Sequence, residues 1–371
     1  MVRTLVVTND FPPRPGGIQT FVHEIVRRQD PESIVVLAPR ESGSDAFDAG
    51  AGYEIHRHAG PIIPTPWMAS RIAEMVAGTG AEQVMFGSGL PNGHLIPLLR
   101  RAGVPTALVI THGNEAGWAQ LPAGRMWVRP LNGARHVTYL GEYTREVLSK
   151  HIHPNSRLHK LPPGVDTERF HPNNGGAAFR SQWGLDDRFV IGTVTRLVPR
   201  KGVDLLIRAM PHVLRAVPDA ALLVAGEGPR SKELEALADH LGVTRSVVFT
   251  GGLRSDDLPA VYDSMDVFAL PTHTRKFGVD VEGLGIVFLE AAASAVPVLV
   301  GTSGGSVDAV RPGQTGELIG TDPQSIAAEI VTLERDEERR RLLGAEGRRW
   351  MLEDWQWKDR AASVTRLLQA D

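Results

Sequence analysis

The amino-acid sequence predicts an α/β protein of two doubly wound domains, each a parallel sheet with helices on both faces. Short apolar runs of strand length alternate with longer amphipathic segments along the chain, a pattern typical of βαβ units. The alternation restarts after residue 170, where the breaker-rich segment His171–Gly176 is predicted to be a linker. A length of 371 residues also favours two hydrophobic cores over one.

The first series of apolar runs predicts the sheet of an N-terminal domain, residues 1–169. Such runs are expected for strands that are buried on both faces of a parallel sheet. The predicted strands are Leu5–Thr8, Ser33–Ala38, Gln83–Phe86, Thr106–Thr111 and His136–Leu140. A helix is predicted over Thr20–Gln29, behind the first strand-to-helix loop.

The second series predicts a C-terminal domain, residues 170–354. Its predicted strands are Val190–Thr195, Ala220–Ala225, Val247–Phe249, Val267–Leu270 and Val296–Gly301. Its predicted helices are Val203–Ala216, Ser231–Leu241, Ser255–Ser264, Ile286–Ala295 and Gln324–Glu334. Trp350, Trp355 and Trp357 bring a large apolar surface to an amphipathic C-terminal helix, which we expect to pack on the body of the protein. Because ligands bind beyond the carboxyl ends of doubly wound strands, the cleft between two such domains is the expected active site.

The overall composition excludes several classes of function. A formal net charge of −3 argues against a general nucleic-acid binder. The absence of cysteine excludes disulfides and thiolate metal sites. The chain has no run of 18 apolar residues, and its N-terminal apolar run is too short for a signal peptide. We therefore expect a cytosolic protein whose contact with membranes, if any, is peripheral.

Two glutamates eight positions apart, Glu282 and Glu290, flank a Gly-x-Gly turn that leads into an apolar segment. If a helix begins near Gly285, its first backbone N–H groups are unpaired and form a site for anions and hydroxyls. Eight helical residues span about 12 Å, whereas two carboxylates acting on one scissile bond lie roughly 5 to 9.5 Å apart. The spacing therefore favours a clamp on an extended ligand over an acid–base couple. An ordinary helix N-terminus with scattered acids would show the same pattern.

Three cations, Arg196, Arg200 and Lys201, follow the first strand of the second domain. A diphosphate requires fixed cations, and Arg196 and Lys201 are predicted to neutralise a leaving pyrophosphate without a metal ion. A solvated basic loop is the alternative. The loop Gly226–Ser231 imitates the dinucleotide fingerprint, but it contains Pro229 and lacks the third glycine. We interpret it as a tight turn near the ligand.

Two features of the first domain also indicate a ligand. The loop after the first strand contains Gly16 and Gly17, which let the backbone approach a ligand in front of a helix N-terminus. Its spacing is not that of the dinucleotide fingerprint. His112 ends a later strand beside Gly113 and is predicted to hydrogen-bond a reacting sugar. A lone histidine at this position is equally compatible with a purely structural role.

Two aromatic segments of the first domain, Pro61–Met68 and Trp118–Val128, would suit contact with a membrane or a lipid if they were exposed. Burial against the core is the favoured alternative for each. The basic loop His273–Phe277, which contains Arg275 and Lys276, has no role that the sequence assigns.

Together these residues resemble the retaining glycosyltransferases of glycosyltransferase family 4, which have the GT-B fold. The resemblance covers essentially the whole chain. It rests on the Gly16-Gly17 loop, the run Arg196–Gly202, the Gly251-Gly252 turn and the two spaced glutamates. It implies two Rossmann-like domains facing across a cleft, the first binding the acceptor and the second a nucleotide sugar. Residues 355–371 are expected to cross back onto the first domain.

The resemblance also implies roles for individual residues. The catalytic residues would be His112, Arg196, Lys201 and Glu282. The donor contacts would lie in the glycine loop, the cationic loop and the segment around Glu282; they are Gly16, Gly17, Arg196, Lys201, Gly252, Leu253, Glu282, Gly283, Leu284, Gly285, Ile286, Val287 and Glu290. Glu290 would hold the ribose, and Gly252 with Leu253 would form the base-binding edge. Acceptor contacts are expected from Asp10, Arg14 and Gln19. No cofactor and no metal ion are expected.

Within this family, the loop Phe11–Gln19 and the segment Asp280–Ile286 are most similar to phosphatidylinositol mannosyltransferases of the PimB type, which add the second mannose. That likeness implies GDP-mannose as donor and a phosphatidylinositol mannoside lipid as acceptor, at the cytoplasmic face of the plasma membrane. Another UDP- or GDP-linked sugar with a different acceptor is the alternative. No carboxylate is obviously placed for double displacement, so front-face attack, with the leaving phosphate helping to deprotonate the acceptor, is the preferred hypothesis.

Three other classes of protein share parts of these patterns. A dinucleotide-dependent oxidoreductase would need a well-formed fingerprint and an acid about 20 residues further on, and neither Gly-rich loop supplies one. A nucleotide-sugar epimerase or hydrolase would act on the donor without a lipid acceptor. A non-catalytic sugar-binding subunit is disfavoured because Arg196, Lys201 and the two glutamates are all present.

Overall fold

The computed structural model describes residues 2–275 and 278–370, and the chain forms two compact units. Unit 1 comprises Met1–Gly164 and Trp357–Asp371, and unit 2 comprises Val165–Gln356. Along the chain, the first division between the units falls between residues 164 and 165. The sequence analysis predicted it between residues 169 and 170. The segment predicted to be a linker lies inside unit 2. There the carboxylate of Asp263 accepts hydrogen bonds from the backbone N–H groups of Asn173, Asn174 and Gly176.

The described residues of unit 1 form a seven-stranded sheet in the order β3-β2-β1-β4-β5-β6-β7. Every pair of neighbouring strands is parallel. The strands are β1 (Thr4–Val7), β2 (Ile34–Pro39), β3 (Glu54–His58), β4 (Gln83–Phe86), β5 (Thr106–Val109), β6 (His136–Tyr139) and β7 (Leu158–Lys160). The strand order reverses between β1 and β4. At such a switch point the loops that follow the strands diverge and leave room for a ligand.

The helices of unit 1 cover this sheet. They are α1 (Gly17–Val26), α2 (Ser44–Ala49), α3 (Pro66–Thr79), α4 (Ile96–Arg101), α5 (Asn114–Ala119), α6 (Gly124–Val128) and α7 (Glu142–Ser149), with α15 (Trp357–Gln369) at the end of the chain. Side chains of the unit donate hydrogen bonds to backbone carbonyls of α15. The amide of Gln83 donates to the carbonyl of Leu368 at 2.8 Å, and the amide of Gln29 donates to that of Ala361 at 3.3 Å. The ring of Trp357 packs edge-on against Phe21, with ring centroids 5.5 Å apart. The expectation that the C-terminal helix returns to the first domain is confirmed.

Unit 2 repeats the same topology. Its described residues form a six-stranded parallel sheet in the order β10-β9-β8-β11-β12-β13. The strands are β8 (Val190–Val194), β9 (Ala221–Ala225), β10 (Val247–Gly251), β11 (Val267–Leu270), β12 (Val298–Gly301) and β13 (Gly316–Ile319). The helices are α8 (Gly176–Trp183), α9 (Val203–Ala216), α10 (Ser231–His240), α11 (Leu258–Asp263), α12 (Ile286–Ala293), α13 (Pro323–Arg335) and α14 (Glu337–Asp354). The switch point lies between β8 and β11. The prediction of two doubly wound α/β domains is confirmed.

The elements that the sequence did not predict are edge strands and several helices. Strands β3, β7 and β13 lie at or near sheet edges, where one face is open to solvent and no long apolar run is required. Helices α2, α3, α4, α5, α6, α7, α8 and α14 also went unpredicted, and α14 begins in a run of charged residues. Strand β12 starts at Val298 instead of Val296. The residue between them is Pro297, which has no N–H to donate to a ladder.

Candidate active site

A buried cluster of opposite charges lies at the switch point of unit 2. The Lys201 ammonium contacts the Glu282 carboxylate at 2.6 Å, and the side chains of the two residues are only 11% and 9% exposed. The Arg200 guanidinium reaches the same carboxylate oxygen at 3.4 Å and Asp280 at 3.3 Å. Both cations follow β8, and both acids follow β11. The two loops therefore meet where the strand order reverses.

The protonation state of Glu282 follows from these neighbours. Burial by itself raises the pKa of a carboxyl group. Here the charges of Lys201 and Arg200, with the hydrogen bond from Lys201, outweigh burial and hold the pKa of Glu282 below its usual value. Glu282 is therefore an anion at neutral pH, and it keeps Lys201 in a fixed position.

The turn between Glu282 and α12 is held from the other side by the loop after β12. The hydroxyl oxygen of Ser303 accepts a hydrogen bond from the backbone N–H of Glu282 at 3.2 Å, and the carbonyl of Glu282 accepts one from the N–H of Gly305 at 2.9 Å. Gly285 precedes α12 with φ of 92°, a conformation that favours glycine. The backbone N–H groups of the first turn of α12, an eight-residue helix, consequently begin beside the charge cluster.

Glu290 occupies a different environment from Glu282. The hydroxyl of the fully buried Tyr262 donates to Glu290 Oε2 at 2.6 Å. Burial raises the pKa of Glu290, although the hydrogen bond from Tyr262 and the charge of Arg169 act in the opposite direction. The two glutamates therefore have separate partners. Val287 precedes Glu290 by three residues on α12, so both lie on one face of that helix.

A cavity of about 740 Å³ opens beside this helix face. Of the predicted donor contacts it is lined by Arg196, Gly252, Leu253 and Val287. Lys201, Glu282 and Glu290 are not among its lining residues. The other lining residues come from the ends of β8 and β9, the loop after β9 and the starts of α10 and α11; they are Val194, Thr195, Ala225, Gly226, Glu227, Gly228, Pro229, Ser231 and Leu258.

The loop after β9 forms part of the cavity wall. The sequence predicted this loop only as a tight turn near the ligand. Gly226 has φ of 136°, and a Cβ at this residue would lie 2.0 Å from the carbonyl oxygen of Thr195. A Cβ on Gly228 would lie 2.5 Å from the carbonyl oxygen of Leu197. The two glycines let the loop after β9 pack directly on the loop after β8, which brings Glu227 against Gly252 in the cavity wall. The Gly-x-Gly spacing was the available signal.

The predicted residues of the first loop form a second cluster, at the switch point of unit 1. The Asp10 carboxylate accepts from the Arg14 guanidinium and from the Gln19 amide, both at 2.9 Å and both on the same oxygen. Gly16 has φ of 156°, and a Cβ there would lie 2.1 Å from the amide oxygen of Gln19. Helix α1 begins at Gly17. The loop is therefore closed on itself by its own polar side chains.

His112 follows β5 in the same unit. Its Nε2 lies 2.7 Å from the carbonyl oxygen of Gly87, which can only accept, so Nε2 carries a proton, and in the neutral tautomer with this proton Nδ1 is an acceptor. Its backbone N–H donates to Glu115 at 2.9 Å, and the other oxygen of Glu115 accepts from Gly89 at 3.0 Å. Glu115 is only 2% exposed. This residue was not predicted, although a glutamate three positions after His112 at the start of a helix was a usable signal.

The aromatic segments differ from the favoured expectation of burial. Trp67, Trp118 and Trp127 are 57%, 41% and 39% exposed, so burial is wrong for these three side chains. It holds for Ile62 and Val128, which are fully buried. In the basic loop that had no assigned role, the N–H of Arg275 donates to the carbonyl of Asp280 at 3.0 Å. Lys276 and Phe277 lie outside the described residues.

Two family descriptions match the two halves of the chain. "Glycosyltransferase Family 4" matches residues 15–169, and "Glycosyl transferases group 1" matches residues 177–350. The chain belongs to glycosyltransferase family 4 and is a glycosyltransferase. It is 44% identical, over 98% of its length and 97% of the relative, to the "GDP-mannose-dependent alpha-(1-6)-phosphatidylinositol monomannoside mannosyltransferase" of Mycolicibacterium smegmatis. It is 39% identical, over 100% of its length and 98% of the relative, to the "GDP-mannose-dependent monoacylated alpha-(1-6)-phosphatidylinositol monomannoside mannosyltransferase" of Corynebacterium glutamicum.

Solved structures with the same fold are more distant in sequence. HepE from Anabaena, crystallised with UDP, has a TM-score of 0.85 at 16% identity and covers 99% of both chains. Sucrose-phosphate synthase from Thermosynechococcus elongatus has a TM-score of 0.82 at 20% identity and covers 98% of both chains. At these identities the likeness concerns the fold alone. The predicted GT-B fold and the predicted family are confirmed.

Within 2–275 and 278–370, no helix combines the length and the apolar character that crossing a bilayer requires. Within the same ranges, no group of three or more His, Cys, Asp or Glu side chains is arranged to hold a metal ion.

Proposed function

We propose that the chain transfers mannose from GDP-mannose to a phosphatidylinositol monomannoside, with retention of the anomeric configuration. The observation that carries this proposal is the 44% identity, over 98% of the chain, to the Mycolicibacterium enzyme whose name states this donor and this acceptor. The acceptor is a lipid, so we further propose that the protein works at the cytoplasmic face of the plasma membrane. In this proposal unit 1 takes the acceptor and unit 2 takes the nucleotide sugar.

The proposed donor site extends from the cavity to the charge cluster of unit 2. The guanosine would enter the 740 Å³ cavity, with its base against Gly252 and Leu253. The ribose hydroxyls would donate to Glu290, whose carboxylate is oriented by the hydrogen bond from Tyr262. The mannose would lie toward Glu282, and the N-terminus of α12 would face the phosphates.

In the proposed reaction, the bond between C1 of mannose and the β-phosphate oxygen breaks while the acceptor oxygen bonds to C1 on the same face. The proton of the acceptor hydroxyl passes to the leaving phosphate. Negative charge therefore develops on the pyrophosphate, and Arg196, Lys201 and the first N–H groups of α12 would stabilise it as it forms. These groups supply the positive charge that a metal ion would otherwise provide, so we propose that transfer needs no metal. Because Lys201 is already held by Glu282 at 2.6 Å, little reorganisation is required.

Within unit 1, His112 and the first loop are the residues that we propose to contact the substrates. The proton on Nε2 of His112 leaves Nδ1 to accept a hydrogen bond, as from a hydroxyl of the transferred sugar. Gly16 and Gly17 would approach the donor, and Asp10, Arg14 and Gln19 would contact the acceptor headgroup.

The substrate assignment is tested by incubating the purified protein with GDP-mannose or UDP-glucose, each with and without phosphatidylinositol monomannoside. Mass spectrometry of the lipid and of the released nucleotide then separates the cases. We expect a dimannosylated lipid in the reaction with GDP-mannose and lipid. Free mannose or an isomerised donor without any lipid product would instead indicate a hydrolase or an epimerase, and product from UDP-glucose would overturn the donor assignment.

A further inference from the structure

The cavity of unit 2 contains a carboxylate to which the proposed reaction gives no role. Glu227 is the one acid among the described residues that line this cavity, and it is exposed to solvent. Within the part of the chain that the structure describes, its side chain forms neither an ion pair nor a hydrogen bond. The nearest arginine along the chain is already engaged, because Arg230 pairs with Asp204 at 2.9 Å and with Glu233 at 2.5 Å. Both carboxylate oxygens of Glu227 can therefore accept from a ligand.

The backbone that carries this carboxylate is fixed on two sides. The carbonyl of Glu227 accepts a hydrogen bond from the N–H of Leu197, in the loop after β8, at 2.9 Å. The N–H of Gly226 donates to the carbonyl of Gly251, at the end of β10, at 2.9 Å. The loop after β9 is thus tied to the loops or ends of both neighbouring strands. The backbone of Glu227 consequently loses little freedom when a ligand binds to its side chain.

Gly252 brings the carboxylate to the edge of the proposed base site. A Cβ on Gly252 would lie 2.9 Å from Cδ of Glu227 and 3.0 Å from its Oε2. The space that a side chain at this position would need is therefore occupied by the carboxylate itself. Gly252 and Leu253 are the residues against which we propose that the base lies, so the carboxylate of Glu227 is beside that base.

The other polar side chains that line the cavity do not offer a pair of acceptors. The hydroxyl of Ser231 is engaged with Gly228, since it accepts from the N–H at 3.2 Å and donates to the carbonyl at 2.8 Å. Arg196 can only donate, and Thr195 carries a single hydroxyl. Among these lining residues, a base with two adjacent N–H donors is therefore matched by Glu227.

We propose that Glu227 selects guanine as the base of the donor nucleotide. Guanine presents N1–H and its 2-amino group side by side, and both donate to the two oxygens of one carboxylate. Uracil presents one N–H between two carbonyl oxygens, and adenine presents a ring nitrogen that only accepts beside its amino group. Either base would turn an acceptor toward a carboxylate oxygen, which can only accept. This inference rests on the proposed function, which puts a nucleotide base in the cavity, and it assigns the choice of that base to one residue.

The test compares the dissociation constants of GDP and inosine diphosphate, measured by calorimetry without lipid or sugar. Inosine diphosphate differs from GDP only in lacking the 2-amino group. One hydrogen bond to an exposed carboxylate corresponds to about tenfold in affinity, so the wild type should bind GDP about tenfold more tightly. In Glu227→Ala neither base meets the acceptor, and the ratio of the two constants should fall to about one. The matched control is Glu235→Ala, at an exposed position of α10, which should keep the wild-type ratio.

The ratio separates base selection from a structural role of Glu227. The two nucleotides share the ribose and the diphosphate, so a distorted loop or partial unfolding weakens both alike and leaves the ratio unchanged. A ratio near one in the wild type, or an unchanged ratio in Glu227→Ala, would overturn the inference.

The inference and the proposed function also fail separately. Loss of the ratio in Glu227→Ala supports guanine selection even where no mannosyl transfer to lipid is detected. A dimannosylated lipid product together with an unchanged ratio in Glu227→Ala would retain the proposed function and overturn the role of Glu227.

Discussion

A double-mutant cycle on Lys201 and Glu282 can separate two roles of Lys201, which are support of the fold and stabilisation of the leaving group. The variants are Lys201→Ala, Glu282→Gln and the two together. Both side chains are nearly buried, and removal of one partner of such a pair costs about 3 to 5 kcal/mol. Lys201→Ala leaves Glu282 with Arg200 at 3.4 Å, so we expect the lower end of this range, about 3 kcal/mol of unfolding free energy.

The double variant should recover part of that loss, because neither charge is then left buried without its partner. We expect its unfolding free energy to exceed the additive expectation by about 2 kcal/mol, measured by urea titration. Turnover should behave differently. Lys201→Ala removes a group that meets charge developing in the transition state, so kcat should fall about 100- to 1,000-fold, and the double variant should not recover it.

The control for this cycle is Arg180→Ala. Arg180 pairs with Asp266 at 2.7 Å elsewhere in unit 2, so this variant should lose stability and keep its turnover. Two results would refute the reasoning. One is a kcat of Lys201→Ala within about threefold of the wild type, because removal of a group that stabilises developing charge should lower kcat far more than that. The other is a double variant in which turnover returns together with stability, since Lys201 would then act only by satisfying Glu282.

Three other predictions concern single residues. Because the pKa of Glu282 is lower in the folded protein, its contribution to stability is complete above the unfolded pKa of about 4.3 and is lost as the pH falls toward the folded pKa. Glu282→Gln should therefore flatten the acid limb of the plot of unfolding free energy against pH. An unchanged acid limb would contradict this account of Glu282. Glu115→Gln leaves one of two buried backbone N–H groups without an acceptor, so the unfolding free energy should fall by about 1 to 3 kcal/mol. The value of kcat/KM should also fall, because His112 is displaced. Unchanged kinetics in a folded variant would show that the reaction does not need this position of His112. Gly226→Ala forces a Cβ to 2.0 Å from a carbonyl oxygen and should weaken GDP binding, measured by calorimetry. The control is Gly242→Ala, at a glycine with φ of 68° and open space around it, which should lower stability alone. Equal effects of the two variants on GDP binding would mean that backbone strain, and not the clash, is responsible.

The parallel sheets were the most predictable part of the fold. Their central strands are buried on both faces, and β2, for example, is a continuous apolar run from Ile34 to Ala38. Strand β3, Glu54–His58, has an exposed side and a polar sequence, so its pairing with β2 depends on a neighbour distant in the chain. The segment His171–Gly176 has the composition of a linker, but Asp263 binds its backbone. Composition does not report that tertiary partner.

The candidate site was predictable where residue type alone carries chemistry. Cations suit phosphate, so Arg196 could be placed near a ligand from its residue type, whereas Gly252 was placed there only by the family resemblance; both line the cavity of unit 2. Two relations could not be predicted in this way. The bond from Tyr262 to Glu290 joins α11 to α12, and the bond from the N–H of Gly89 to Glu115 joins the loop after β4 to α5. Each depends on which loops the topology brings together, and local sequence contains no sign of that.

The most direct measurement is the proton NMR spectrum of the lipid product formed from GDP-mannose and phosphatidylinositol monomannoside in the presence of a metal chelator. The account predicts a new mannosyl residue whose anomeric configuration is that of the donor, formed at the rate seen without the chelator. A product of inverted configuration, or no product until a divalent metal is restored, would contradict it.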